Sequence, residues 1–173
     1  MSTPNPLAVT AWYDAPSRFL IMIIFMVWFG GFTFYGAVVI PTAHHVLGTH
    51  LEVGFLTQRV THWLNLGGGI TILALAVNLW LLKRNGVSDL RPLMVTWAML
   101  ILTLIGLLVL HQHLDQYLDE VEHVISKRTD FYAWHRIYLL FATIQWCAAI
   151  AHLWYVMARW RTLAILSYPS RSS

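Results

Sequence analysis

Charge is what this sequence has least of. Lys, Arg, Asp and Glu make up 11% of its 173 residues, against 58% apolar ones, where a soluble domain carries about 25% charged residues. A chain so poor in polar surface suits lipid as its solvent. Cysteine is scarcer still: Cys147 stands alone inside an apolar run. It can form no internal disulfide and belongs to no cysteine-based zinc motif, so the soft metal ligands that remain are His and Met. The net charge of +3 gathers into no basic groove, which excludes a nucleic-acid footprint. Also missing are a Ser–His–Asp set, a phosphate loop and a dinucleotide fingerprint. No cleavable signal peptide is evident. The first apolar run begins near Phe19 and continues to about Ile40, beyond a signal h-region of roughly 7–15 residues, and reads as a retained signal anchor.

What the chain has in abundance is spanning-length apolar sequence. A transmembrane helix needs about 20 mainly apolar residues, and four stretches qualify: 18–40, with Pro41 marking its exit; 60–82, closed by Lys83-Arg84-Asn85-Gly86; 92–110, opened by Pro92; and 131–159, with Asp130 as its N-cap. The expected fold is all-α, a single transmembrane domain over 1–173 built as a four-helix bundle.

Lys and Arg in short loops set direction. Arg18, Lys83, Arg84, Arg91, Arg159, Arg161 and Arg171 lie on one side. Arg59, Lys127, Arg128 and Arg136 lie on the other, diluted by Glu52, Asp115, Asp119, Glu120, Glu122 and Asp130. The first side is therefore expected in the cytoplasm with both termini, as in a bacterial inner membrane. Trp63, Tyr132 and Trp134 would belt the outer boundary, and Trp80, Trp154, Tyr155 and Trp160 the inner one.

The halves resemble each other weakly. His44-His45 closes helix one and His111-Gln112-His113 closes helix three. A polar outer loop follows each, then a helix with an early histidine, His62 or His135. Those helices end alike, in Asn78-Leu79-Trp80-Leu81 and His152-Leu153-Trp154-Tyr155. The pattern points to a parallel internal repeat of helices 1–2 and 3–4, with His62 and His135 at equal depth.

Of the nine histidines, all but His152 gather towards the outer side: His44, His45, His50, His62, His111, His113, His123 and His135. Imidazole suits copper, zinc, iron and nickel, and ionisable groups at membrane depth are usually functional. Three sub-patterns follow. His111, Asp115, Asp119 and His123, each four residues after the last, fall on one stripe if helix three continues outward. Two neighbours there could chelate one ion, or the stripe is a solvated face. His44, His45, His111, His113 and Asp115, with His50 nearby, would form an outward metal site, or else hydrogen-bond to water and headgroups. His62 and His135 could ligate a haem b axially, with Gly67, Gly68 and Gly69 admitting the flat ring. The alternatives are glycine packing against Gly30, Gly31 and Gly36, and histidines acting as hydrogen-bonded braces. His152 reads as a satisfied interior or interfacial histidine.

Trp28-Phe29-Gly30-Gly31-Phe32-Thr33-Phe34-Tyr35-Gly36-Ala37-Val38-Val39-Ile40-Pro41 resembles the opening helix of a bacterial four-helix membrane family. That family includes transmembrane protein 205-like domains and is similar to copper-resistance D-like domains. Arg59-Val60-Thr61-His62-Trp63-Leu64-Asn65 and Phe131-Tyr132-Ala133-Trp134-His135-Arg136 resemble the heads of its second and last helices. The resemblance implies a small helical bundle linked to copper handling. His44-His45 and the His111–His123 stripe depart from its pattern.

The functional expectation is an outward-facing copper-binding membrane protein without catalytic turnover, with ligands His44, His45, His111, His113 and Asp115. Its partners would be the bilayer and a periplasmic metal carrier or other membrane subunits. Two alternatives remain: a b-type cytochrome taking electrons from quinol through haem on His62 and His135, or a non-catalytic accessory subunit of a membrane complex.

Overall fold

The computed structural model describes the backbone of residues 6–119, 124–125 and 128–167, and the side chains of residues 15–49, 51–117 and 129–163. The chain is an all-helical bundle. Among the described residues, four stretches are long and apolar enough to cross a membrane: Ala15–Leu47, Leu51–Arg84, Arg91–Asp115 and Thr129–Leu163. Large apolar side chains such as Val27, Leu73 and Leu102 are exposed along their lengths, as an integral membrane protein requires.

The first span is longer than its sequence suggests. Helix α1 (Pro6–Phe34) passes through a π turn (Tyr35–Val39) directly into α2 (Ile40–Leu47). Pro41 does not mark the exit. It stands at the start of α2, where a missing N–H is tolerated, and the wider turn before it carries the helix through, with Ile40 N–H bonded to Tyr35 O. The helix ends instead at Gly48, whose φ of +69° reverses the chain.

Helix α3 (His50–Arg84) starts ten residues before the expected span. Thr49 is its N-cap and takes the Glu52 N–H, while its hydroxyl donates to Glu52 Oε2 at 2.9 Å, a reciprocal cap. The predicted polar loop is thus a tight helical corner, and its extra turns stand against α2. At the other end Gly86, at φ +77°, closes α3. Its N–H bonds Lys83 O, the Val87 N–H bonds Leu82 O, and Val87 packs on the Leu82 cluster, the full set of contacts of a Schellman cap.

Helix α4 (Arg91–Asp115) opens with Pro92 as predicted. It stops at Asp115, so the four-member stripe is not helical: Asp119 lies on a two-residue strand, β1 (Leu118–Asp119), paired with β2 (Val124–Ile125). His123 lies outside the described residues. Helix α5 (Arg128–Ser167) begins ahead of Asp130, which sits in its first turn rather than capping it.

Around the bundle the neighbours are α1 with α3, α3 with α4, α4 with α5, and α5 back to α1 by a thinner contact. Phe25, Trp28, Leu75, Leu100, Leu104 and Ala149 fill the middle. Leu107, Leu110, Leu114, Phe131 and Tyr138 join α4 to α5 at the histidine end. Leu82, Leu93 and Val156 close the basic end, where Arg159 Nη2 lies 2.9 Å from Asp89 Oδ2.

Candidate functional site: a cleft at the histidine end

The thin contact between α1 and α5 decides where the site lies. Trp146 Nε1 donates to Thr33 Oγ1 at 3.0 Å and its ring stacks on Phe29. Towards the histidine end, beyond this tie, a cleft of about 630 Å³ opens. Its lining residues Gly36, Ala37, Leu139 and Trp146 are exposed, so it opens between the π turn and α5, on the side where lipid would lie.

Each element gives the cleft a different chemistry. Helix α1 and the π turn supply Trp28, Phe32 and Tyr35, and α5 supplies Phe131, Tyr138 and Gln145. Helix α3 supplies Thr57, Thr61 and Asn65, four residues apart on one face, with Gln58 beside them. Most of this wall is apolar, but the Tyr35 hydroxyl, Gln58 Oε1 and Asn65 Nδ2 are buried without a hydrogen bond of good geometry among the described residues; Tyr35 has only the Thr57 side chain, and Asn65 only Tyr138, close enough to interact. Buried polar groups are nearly always paired. One acceptor, one donor and one hydroxyl so weakly satisfied, contributed by α3 and the π turn, mark a place where a ligand or water would complete the bonding.

The rim holds part of the predicted histidine layer. His44, His111, Asp115 and His135 line the cleft. Thr61 donates its hydroxyl proton to Thr57 O at 2.6 Å and lies 3.5 Å from His111 Nδ1. On the other side of the ring, His111 Nε2 lies 3.7 Å from Asp115 Oδ2. An imidazole nitrogen and a carboxylate oxygen so placed can share a proton or a cation. The His62 ring centre lies 6.4 Å from that of His111, although His62 itself is exposed.

The remaining predicted ligands are not brought together. Positions two apart on a helix face opposite sides, and His113 accordingly turns away from His111 to pack on Trp134, ring centres 4.8 Å apart, and beside the Tyr117 hydroxyl at 3.4 Å. His45 is exposed, and the side chain of His50 lies outside the described residues. Among the described residues no three His, Cys, Asp or Glu side chains form a group that could hold one metal ion. The five-ligand site therefore does not assemble from the side chains as placed.

The haem expectation meets similar geometry. His135 stacks on Phe131, one helical turn earlier, with planes 8° apart, and lines the cleft, whereas His62 does not. The room beside the triple glycine is taken by an indole of the chain itself. A Cβ on Gly67 or Gly68 would stand 3.2 Å from the Trp28 ring, and Trp28 Nε1 donates to Leu64 O at 3.0 Å. Gly30 and Gly36, expected as helix-packing partners, have nothing within 4 Å of such a Cβ.

Sequence reasoning about histidine missed Tyr35, Gln58, Asn65, Tyr138 and Gln145. A signal was there: Thr57, Thr61 and Asn65 recur at intervals of four, and Asn65 and Gln145 are amides inside apolar spans, where polar side chains are costly.

A family model described as a domain of unknown function, DUF4149, matches residues 23–123. No curated protein and no solved structure matches the chain.

Proposed function

The chain belongs to the DUF4149 family, and we propose that it is a membrane receptor or carrier for a small lipid-soluble molecule with a hydrogen-bonding head, taken into the cleft at its histidine end. One observation carries this reading: three buried polar atoms without a well-formed hydrogen bond line a largely apolar cleft of about 630 Å³, well within the 300–1,000 Å³ typical of small-molecule sites. The aromatic rings would hold the body of the ligand. Asn65 Nδ2 would donate to its head, and Gln58 Oε1 and the Tyr35 hydroxyl would accept from it or bond to it. Nothing in the arrangement calls for a nucleophile, so binding or transfer is proposed, not turnover.

Gly36 offers the test, because it lines the cleft and a Cβ there meets nothing within 4 Å. Protein extracted in native lipid nanodiscs should carry a small-molecule adduct in native mass spectrometry, and Gly36→Phe should lose it while keeping its helical circular dichroism. Equal adducts on both proteins, or none on the wild type, would reject the reading.

A metal at the rim is the second reading. It is supported by His111 Nε2 and Asp115 Oδ2 facing each other with His62 close by, and by the resemblance to copper-resistance domains. It predicts copper, zinc or iron above background in purified protein and its loss in a His111→Ala/Asp115→Ala variant. Background metal in both ends it. A Soret band in membranes supplied with haem would instead favour the cytochrome alternative.

A further inference from the structure

At the opposite end of the bundle from the cleft, a second polar layer is sealed inside. Asn78 and His152 are each 0% exposed and Thr96 is 6% exposed. Their common level follows from the apolar layer beneath them. Leu82, Leu93 and Val156 pack together, and Asn78, Thr96 and His152 stand one helical turn from these on α3, α4 and α5, at −4, +3 and −4. Positions three and four residues apart on a helix share a face, and α4 runs against the other two, so all three polar side chains lie in the next layer towards the middle of the membrane.

The hydrogen bonds fix which atoms of this layer are left over. Thr96 Oγ1 donates back to its own helix, with Pro92 O at 3.0 Å and Leu93 O at 3.1 Å. A hydroxyl has one proton, so while that proton stays on these carbonyls Thr96 accepts from His152 Nδ1, 2.8 Å away. In that arrangement Nδ1 carries the ring proton and Nε2 a bare lone pair. On the other side Trp160 Nε1, which can only donate, lies 3.2 Å from Asn78 Oδ1, and this sets the amide so that its NH2 points elsewhere. His152 Nε2 and Asn78 Nδ2 then have no partner among the described residues. One is an acceptor, the other a donor, and both are sealed from solvent.

We propose that Asn78 and His152 form a binding site for one buried water, which accepts from Asn78 Nδ2 and donates to His152 Nε2. A buried water needs at least two polar partners, and this layer offers a matched pair. Leaving either atom bare at this depth is costly, and one water held between them would satisfy both. The site thereby keeps a neutral imidazole, with a mobile proton source against its free nitrogen, in the half of the membrane that the cleft does not reach. It stands independently of any ligand in the cleft.

Nuclear magnetic resonance of the full chain, labelled with 15N-histidine and reconstituted in nanodiscs, tests this, with His152→Phe assigning the signal. The expected result is the Nδ1-protonated tautomer. Its Nε2 resonance should be shifted upfield from that of a free imine nitrogen, should show exchange cross-peaks to water, and should move when H2O is replaced by D2O. In Asn78→Ala, and in Asn78→Leu should the first variant open the layer, the water cross-peak should be lost or strongly weakened. An Nε2 at the free imine position, an Nε2-protonated ring, or a direct coupling from Asn78 Nδ2–H to Nε2 with no water cross-peak would each overturn the proposal.

Discussion

A methyl group added at position 106 has nowhere to go. Its carbon would fall on the Phe141 ring, and that ring belongs to the α4–α5 cluster of Leu107, Leu110 and Tyr138. Overpacking of this kind costs about 1–3 kcal/mol, and the two helices form the most extensive contact of the bundle. Gly106→Ala should therefore lower the unfolding midpoint in detergent clearly, and adding Phe141→Leu should recover part of the loss. An unchanged midpoint for Gly106→Ala would show that α4 and α5 do not pack as described. Sequence alone drew the eye to the triple glycine instead, because a run is conspicuous and a single glycine in a leucine-rich helix is not. The same limit governed the histidines. Spacing could place His111 one turn from Asp115, and those two do meet at 3.7 Å. It could not say that His113 would prefer the faces of Trp134 and Tyr117, since that choice rests on which helix lies alongside.

At the scale of the element, the two glycines with positive φ act where helices stop, and the other helix-one glycines do not. Gly86 completes the cap that turns α3 towards α4. A Cβ in the left-handed region costs roughly 1–2 kcal/mol, so Gly86→Ala should reduce thermal stability. Gly30→Ala, with open space around its Cβ, should be neutral or gain about 0.5–1 kcal/mol, the helix preference of alanine over glycine. Comparing the two midpoints separates a requirement for backbone conformation from a general intolerance of larger residues; equal losses would remove the capping role. Hydropathy located the middle of every span but not its ends. Pro41 reads as an exit because proline normally breaks a helix, and a π turn is not visible in composition. The Thr49-x-x-Glu52 cap was visible as a pattern, yet it lies in a stretch polar enough to read as loop, and so the helical corner that walls the cleft went unrecognised.

The whole molecule is asymmetric from end to end, and that asymmetry predicts how it sits in the bilayer. Arg18, Lys83, Arg84, Arg91, Arg159 and Arg161 gather at one end, with Arg84 lying over the Trp80 ring at 4.8 Å and Arg159 tied to Asp89. The other end holds the cleft with Asp115, the Glu52 cap and most of the histidines. Cationic residues in short segments resist translocation, and with an even number of spans both termini share a side. The basic end should therefore face the cytoplasm and the cleft should open towards the opposite leaflet. A C-terminal fluorescent-protein fusion should glow in a bacterial host, and a C-terminal alkaline phosphatase fusion should be inactive. Replacing Lys83, Arg84 and Arg91 together by Glu should weaken that bias and raise phosphatase activity. The opposite pair of fusion results would turn the cleft towards the cytoplasm. A ligand or metal arriving from outside could then no longer reach the rim, whereas the sealed Asn78–His152 layer would be unaffected, because its argument depends on burial and not on direction.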